Sequence, residues 1–153
     1  SDNSGQLRIY DKKGETRSYL GDGYLQAYNQ FGERTIFLGT GTNGGGYLRT
    51  YNFSGQESIY IGTGADSSGQ IRIYDNTGET GSFLGSGYFR TYNRFGKMTT
   101  FIGNATDGGG YLRTNNKFET ETAFLGTNNA NEGLINLNDK FGQSFWIRLN
   151  KKN

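Results

Sequence analysis

The sequence predicts an all-β protein of seven β-hairpin units that stack into an elongated β-helix or β-solenoid. Three observations carry the expectation: a recurring phrase, a fixed glycine frame, and alternation with period two between the glycines. The phrase is GYLRTYN at 46–52, varied as GYLQAYN at 23–29, GYFRTYN at 87–93 and GYLRTNN at 110–116.

The frame comes first because it sets the elements. Units open at Gly5, Gly23, Gly46, Gly69, Gly87, Gly110 and Gly133, spaced by 18 or 23 residues, and the pattern returns every 64 residues. A second glycine follows nine residues into each unit, at Gly14, Gly32, Gly55, Gly78, Gly96 and Gly142, with Glu119 as the exception. A third lies seven further on, at Gly21, Gly39, Gly62, Gly85, Gly103 and Gly126. Each unit therefore reads as strand, turn, strand, connection, with short connections after Gly21 and Gly85. Residues 1–153 are expected to form one repetitive domain, closed by a capping strand over about 143–153 that departs from the repeat as Gln143-Ser-Phe-Trp-Ile-Arg-Leu.

The first strands alternate. One face carries Leu7, Leu25, Leu48, Ile71, Phe89, Leu112 and Ile135, and this aliphatic face is expected to be the inner one. The other carries Tyr24, Tyr47, Tyr88 and Tyr111, then Arg8, Arg49, Arg72, Arg90 and Arg113, then Tyr10, Tyr28, Tyr51, Tyr74 and Tyr92. Second strands place Leu20, Leu38, Ile61, Leu84, Ile102 and Leu125 beside an aromatic residue. Asp-Lys-Lys-Gly at 11–14 and Asp-Asn-Thr-Gly at 75–78 are turn sequences, with glycine where positive φ is required. No sustained helical period occurs, and β-branched and aromatic residues fill the periodic positions.

Composition limits how such units are stabilised. Only 32% of the residues are hydrophobic, 26 are glycine, and valine, proline, cysteine and histidine are absent. A unit of roughly twenty residues offers about two or three aliphatic side chains, worth roughly 1.5–3 kcal/mol each. Ordering its backbone costs about 1–2 kcal/mol per residue. A lone hairpin is therefore unstable and must stack on neighbours or on other chains. Disorder is a poor description of a chain with 11 Tyr and 11 Phe. A formal charge of +2 gives little reason to expect a nucleic-acid partner. With no apolar run long enough to span a bilayer and no charged-then-apolar leader, a soluble chain without a membrane span is expected, exported by a removed signal or another route.

Units such as GQIRIYDNTGETGSFLG at 69–85 and GYLRTYNFSGQESIYIG at 46–62 resemble the Gly-punctuated hairpin repeats of bacterial and phage fibre proteins, including tail-fibre-like shafts of three intertwined chains. The resemblance runs from Gly5 to about Gly142. It implies a rigid homotrimeric or filamentous shaft outside the cell, on a cell surface or virion, that supports attachment. A weaker similarity in layout links the chain to choline-binding and glucan-binding repeat solenoids of bacterial surfaces, although the single Trp146 lies outside the repeats. An open sheet of stacked hairpins is the third arrangement the pattern allows.

Catalytic chemistry finds few residues. The absence of His and Cys removes Ser-His-Asp and Cys-His machinery and the usual zinc sites, so no enzyme activity, metal or cofactor is expected. Glu15, Glu33 and Glu79 recur just after the turn glycine, where solvated charges are the ordinary reading and a carboxylate pair for glycoside cleavage the rarer one. GTGADSSG at 62–69 and GNATDGGG at 103–110 lack the residues of a phosphate or calcium loop and read as connections. Asn52-Phe-Ser and Asn104-Ala-Thr match the N-glycosylation pattern by chance. The candidate site is the Tyr/Arg face, comprising Tyr24, Tyr28, Tyr47, Arg49, Tyr51, Tyr88, Arg90, Tyr92, Tyr111 and Arg113, which either packs as a ladder or binds surface polysaccharide. Pattern breaks at Asn115, Glu119 and 127–132 are further candidates, because packing obeys a repeat and ligand sites interrupt it. The expected role is a structural fibre or filament component that associates with itself, with a carbohydrate-binding repeat module as the alternative.

Overall fold

A computed structural model describes residues 5–42, 44–106, 108–128 and 130–149, without the side chains of 146–149. Every described element is a strand. The chain divides between Glu79 and Thr80 into two compact units. Unit 1 holds β1 (Leu7–Tyr10), β2 (Thr16–Gly21), β3 (Tyr24–Tyr28), β4 (Arg34–Thr40), β5 (Gly46–Tyr51), β6 (Glu57–Thr63) and β7 (Gly69–Tyr74). Unit 2 holds β8 (Thr80–Gly85), β9 (Tyr88–Tyr92), β10 (Met98–Asn104), β11 (Gly110–Asn115), β12 (Glu121–Thr127), β13 (Gly133–Asn138) and β14 (Ser144–Leu149). Within each unit, consecutive strands pair antiparallel as an open meander. The arrangement inside a unit is thus the open sheet of stacked hairpins. The capping strand expected over 143–153 is β14 as far as Leu149; the remaining residues lie outside the described ones.

Turn chemistry explains the glycine frame. Asp11 Oδ1 accepts hydrogen bonds from the Lys13 and Glu15 amides at 2.8 and 3.0 Å, while Gly14 N donates to Asp11 O at 3.1 Å and Asp11 N donates to Glu15 O at 2.9 Å. The same closure recurs at Asn29, Asn52, Asp75, Asn93, Asn116 and Asp139. Its fourth residue needs positive φ, which Gly14 supplies at 82°. Glu119 occupies that position at φ 67°. The short connections are two-residue turns, Asp22-Gly23 and Ser86-Gly87, with positive φ at both residues, the mirror-image geometry suited to twisted hairpins. Units of 23 residues replace them with a five-residue loop such as Gly64–Ser68 and one added strand pair, Thr63↔Gly69.

A register shift marks nearly every turn-side hairpin, as between Ile9 and Tyr10 or Thr50 and Tyr51. The extra residue is a bulge. Its hydroxyl often meets a threonine across the pair: Thr50 with Ser58 at 2.8 Å, Thr91 with Thr99 at 2.9 Å and Thr114 with Thr122 at 3.1 Å.

Coverage of the two faces reverses the expected assignment. In unit 1 the pairs Leu7↔Leu20, Leu20↔Leu25, Leu25↔Leu38, Leu38↔Leu48, Leu48↔Ile61 and Ile61↔Ile71 form one continuous aliphatic row. This row, expected to be interior, is open in the single chain, with Leu20, Leu38 and Ile61 at 50%, 49% and 42% exposure. Among the described residues, the buried apolar side chains are aromatic: Tyr19 at 9% and Phe101 at 5%. A single sheet layer has no second layer to cover short aliphatic side chains, whereas long rings lie down on their own sheet and cover one another.

Candidate functional site

The aromatic face is assembled by glycine. Gly62 pairs with Tyr47, and Gly126 with Tyr111, so that no Cβ stands between the ring of the residue two before it and the tyrosine opposite. Rings from adjacent strands then interleave. In unit 1 the ladder runs Tyr19, Tyr24, Phe37, Tyr47 and Tyr60, with centroids 5.1, 5.4, 5.2 and 5.8 Å apart. In unit 2 it runs Phe83, Tyr88, Phe101, Tyr111 and Phe124, at 5.2, 5.5, 4.6 and 5.3 Å. Each such contact contributes about 0.5–1.5 kcal/mol beyond area burial. The ladders end where the 64-residue period replaces tyrosine with Gln70 and Leu134.

Arginines lie over the rings. Arg49 is 4.8 Å from the Tyr47 centroid and 5.6 Å from Tyr60, and Arg90 is 4.2 Å from Tyr88 and 5.4 Å from Phe101. Arg113 sits 5.9 Å from Phe101. The Nε atoms of Arg90 and Arg113 are covered and make no hydrogen bond, so the ring faces take that place. Tyr28, Tyr51 and Tyr92 occupy the row nearest the turns, where Tyr51 carries Arg34 at 4.6 Å and Tyr28 donates to Gln26 Oε1. Thus Tyr24, Tyr28, Tyr47, Arg49 and Tyr51 share the aromatic face of unit 1, and Tyr88, Arg90, Tyr92, Tyr111 and Arg113 that of unit 2.

A shallow cleft of about 630 Å³ opens on the aromatic face of unit 1 where the ladder stops. Gln70 is shorter than a tyrosine and leaves space beyond Tyr60. Tyr47, Tyr60 and Tyr74 supply ring surface, and Arg49, Glu57, Gln70 and Arg72 supply polar groups. Arg49 Nε is 3.4 Å from Glu57 Oε2, and Arg72 donates to Gln70 Oε1 at 3.3 Å. Burial would lower the Arg49 pKa, yet the Glu57 carboxylate raises it on balance. Burial, followed by Glu57, raises that of Tyr74. Flat rings beside charged and amide groups can stack on a sugar ring while bonding its hydroxyls. Sequence reasoning placed Arg72 and Tyr74 on this face but missed Glu57, Tyr60 and Gln70 as partners, because the cleft depends on the interruption at Gln70.

The pattern breaks have structural partners. Asn115 Nδ2 donates to Met98 O at 3.0 Å, and Glu119 Oε1 accepts from Met98 N at 3.1 Å, so two interruptions hold one residue beside a bulge. Glu119 Oε2 also pairs with Lys97 Nζ at 3.0 Å. The Met98 amide, then Lys97, holds the Glu119 carboxyl below its ordinary pKa. In the stretch 127–132, Asn128 Oδ1 accepts from the Ala130 and Glu132 amides, and Asn129 lies outside the described residues. Glu15 pairs with Arg17 at 2.9 Å and Glu33 accepts from Asn29 Nδ2 at 2.9 Å; both are exposed at turns, as is Glu79. Asp66 bonds the Ser68 amide and hydroxyl inside its own loop, while Asp107 of the second glycine-rich connection lies outside the described residues. Asn52 Oδ1 is engaged by the Ser54 and Gln56 amides.

Neither a protein-family model nor a curated protein matches the chain.

Proposed function

We propose that the protein is a structural component of a fibre or filament on a cell or virion surface, in which copies of the chain cover one another's aliphatic face. The observation behind this reading is the line of seven Leu and Ile side chains in unit 1, continuous in register and largely open. The flanking row, Ile9, Ser18, Ala27, Ile36, Thr50, Ile59 and Ile73, adds no charge. An uncharged apolar strip of this extent marks an interaction surface on a soluble protein. Because the repeat presents the same row on every copy, the surface is suited to pairing with itself, sheet on sheet or around a three-chain axis. A homotrimeric β-helical shaft is the form of assembly consistent with the fibre-repeat resemblance.

Light scattering coupled to size exclusion tests this directly. The expected mass is at least twice 16.9 kDa, and near threefold for an intertwined trimer. Leu38→Asp with Ile61→Asp should lower it. A concentration-independent monomer would sink the proposal. The cleft at Tyr60 favours a second reading, a carbohydrate-binding module, which Tyr47→Ala with Tyr74→Ala should test by releasing the protein from polysaccharide resin.

A further inference from the structure

The turn-side edge of unit 2 carries an aromatic and basic row that neither the aliphatic face nor the cleft uses. Phe95, Phe118 and Phe141 occupy the turns after β9, β11 and β13 and are 65%, 73% and 73% exposed. Polar turn tips are the usual choice, and three phenyl rings at equivalent positions are an unfavourable surface unless something covers them. Each ring has a fixed origin: the Phe95, Phe118 and Phe141 amides donate to Asn93, Asn116 and Asp139 Oδ1 at 2.9, 2.9 and 2.8 Å. Successive turns are joined as well, since Asn93 Nδ2 donates to Lys117 O at 3.5 Å and Asn116 Nδ2 to Lys140 O at 3.1 Å.

A cation precedes every ring. Arg94, Lys117 and Lys140 lie 4.8, 4.9 and 4.9 Å from the centroids of Phe95, Phe118 and Phe141. The nearby Glu119 carboxylate is neutralised by Lys97, and Asp139 Oδ1 is engaged by the Phe141 and Gln143 amides. Among the described residues, the opposite edge, formed by Ser86-Gly87, Ala105–Gly109 and Asn128–Glu132, has neither an aromatic residue nor a cation. Ring and charge are thus concentrated on one rim.

We infer that this rim docks on an anionic lipid bilayer, with the three phenyl rings entering the interface and the three cations meeting lipid headgroups. The tips stand two strand spacings apart, about 10 Å, along an edge and not around a hollow. A row of projecting tips can touch a flat surface together, whereas a groove in a partner would have to match each one. Aromatic rings with flanking Lys and Arg suit the boundary between headgroups and acyl chains, and the positive charge selects anionic lipid.

Vesicle co-sedimentation of the full chain tests the inference, using phosphatidylcholine vesicles with and without phosphatidylglycerol. Binding is expected only to the anionic vesicles, and should weaken with salt. Replacing Arg94, Lys117 and Lys140 by Gln should weaken binding by about fivefold per cation. Phe95→Ser, Phe118→Ser and Phe141→Ser together should abolish it while the circular dichroism spectrum and melting curve stay unchanged. No binding by the wild type would overturn the inference. So would full binding by the triple Phe variant, or competition by soluble dextran sulfate that leaves no Phe-dependent part, because either would identify a simple polyanion site.

Discussion

The aromatic and aliphatic faces of each unit are both apolar along their central rows, yet Phe101 is 5% exposed while its chain neighbour Ile102, pointing the other way, is 45% exposed. The difference lies in reach. A ring lying along the sheet meets the rings on both sides, as Phe101 meets Tyr88 at 5.5 Å and Tyr111 at 4.6 Å. A branched aliphatic side chain stands up from the sheet and needs a second layer. One face is therefore stabilised within the chain, and the other is left open by it.

The sharpest way to break this comparison is to truncate across it. Phe101→Ala should cost about 3 kcal/mol in urea unfolding, and Ile102→Ala well under half as much in a monomer. An equal cost would show that the aliphatic face is already covered in solution, as the proposed assembly requires. Next in size is Gly62→Ala, whose new Cβ would lie 2.5 Å from Tyr47 Cβ and 2.9 Å from the Gly46 carbonyl. Backbone must move there, so about 2 kcal/mol is expected, against almost nothing for Gly69→Ala in open space.

Smaller effects test the pattern break at Glu119. Glu119→Ala keeps the left-handed backbone at φ 67° but loses the Met98 and Lys97 contacts, and should lower the unfolding midpoint. Glu119→Gly relieves the backbone while losing the same contacts, and should lower it less. The Glu119 pKa is lowered on folding. Its contribution is therefore present above the ordinary carboxylate range and lost as pH falls through the lowered value. The midpoint gap between wild type and Glu119→Gln should close in acid. The smallest effect is spectroscopic: hydrogen bonding to Asp22, with burial, pushes the Tyr19 phenol up to about 12, and Asp22→Asn should bring its absorbance titration back towards 10.

Much of the local structure was legible. Asp/Asn-x-x-Gly identified the turns because a side-chain acceptor at the first position and positive φ at the fourth are local requirements. Period-two alternation assigned Leu48 and Arg49 to opposite faces because strand geometry leaves no alternative. Bulges escaped notice, since an unpaired residue such as Ser58 carries no compositional mark and is defined only against its partner strand. The turn phenylalanines escaped too: Phe31, Phe95, Phe118 and Phe141 all precede the fourth turn position, a recurrence hidden among residues read only as turn formers.

Sequence alone determined the hairpin frame and the two chemically distinct faces, because each depends on residues near one another in the chain, and the 64-residue period, because that is a comparison of the sequence with itself. Only the tertiary structure decided which face is covered, where the aromatic ladder ends in a cleft, and why Asn115 and Glu119 depart from the pattern. Those outcomes depend on which side chains meet across strands, as when Asn115 and Glu119 both reach Met98 from the next hairpin.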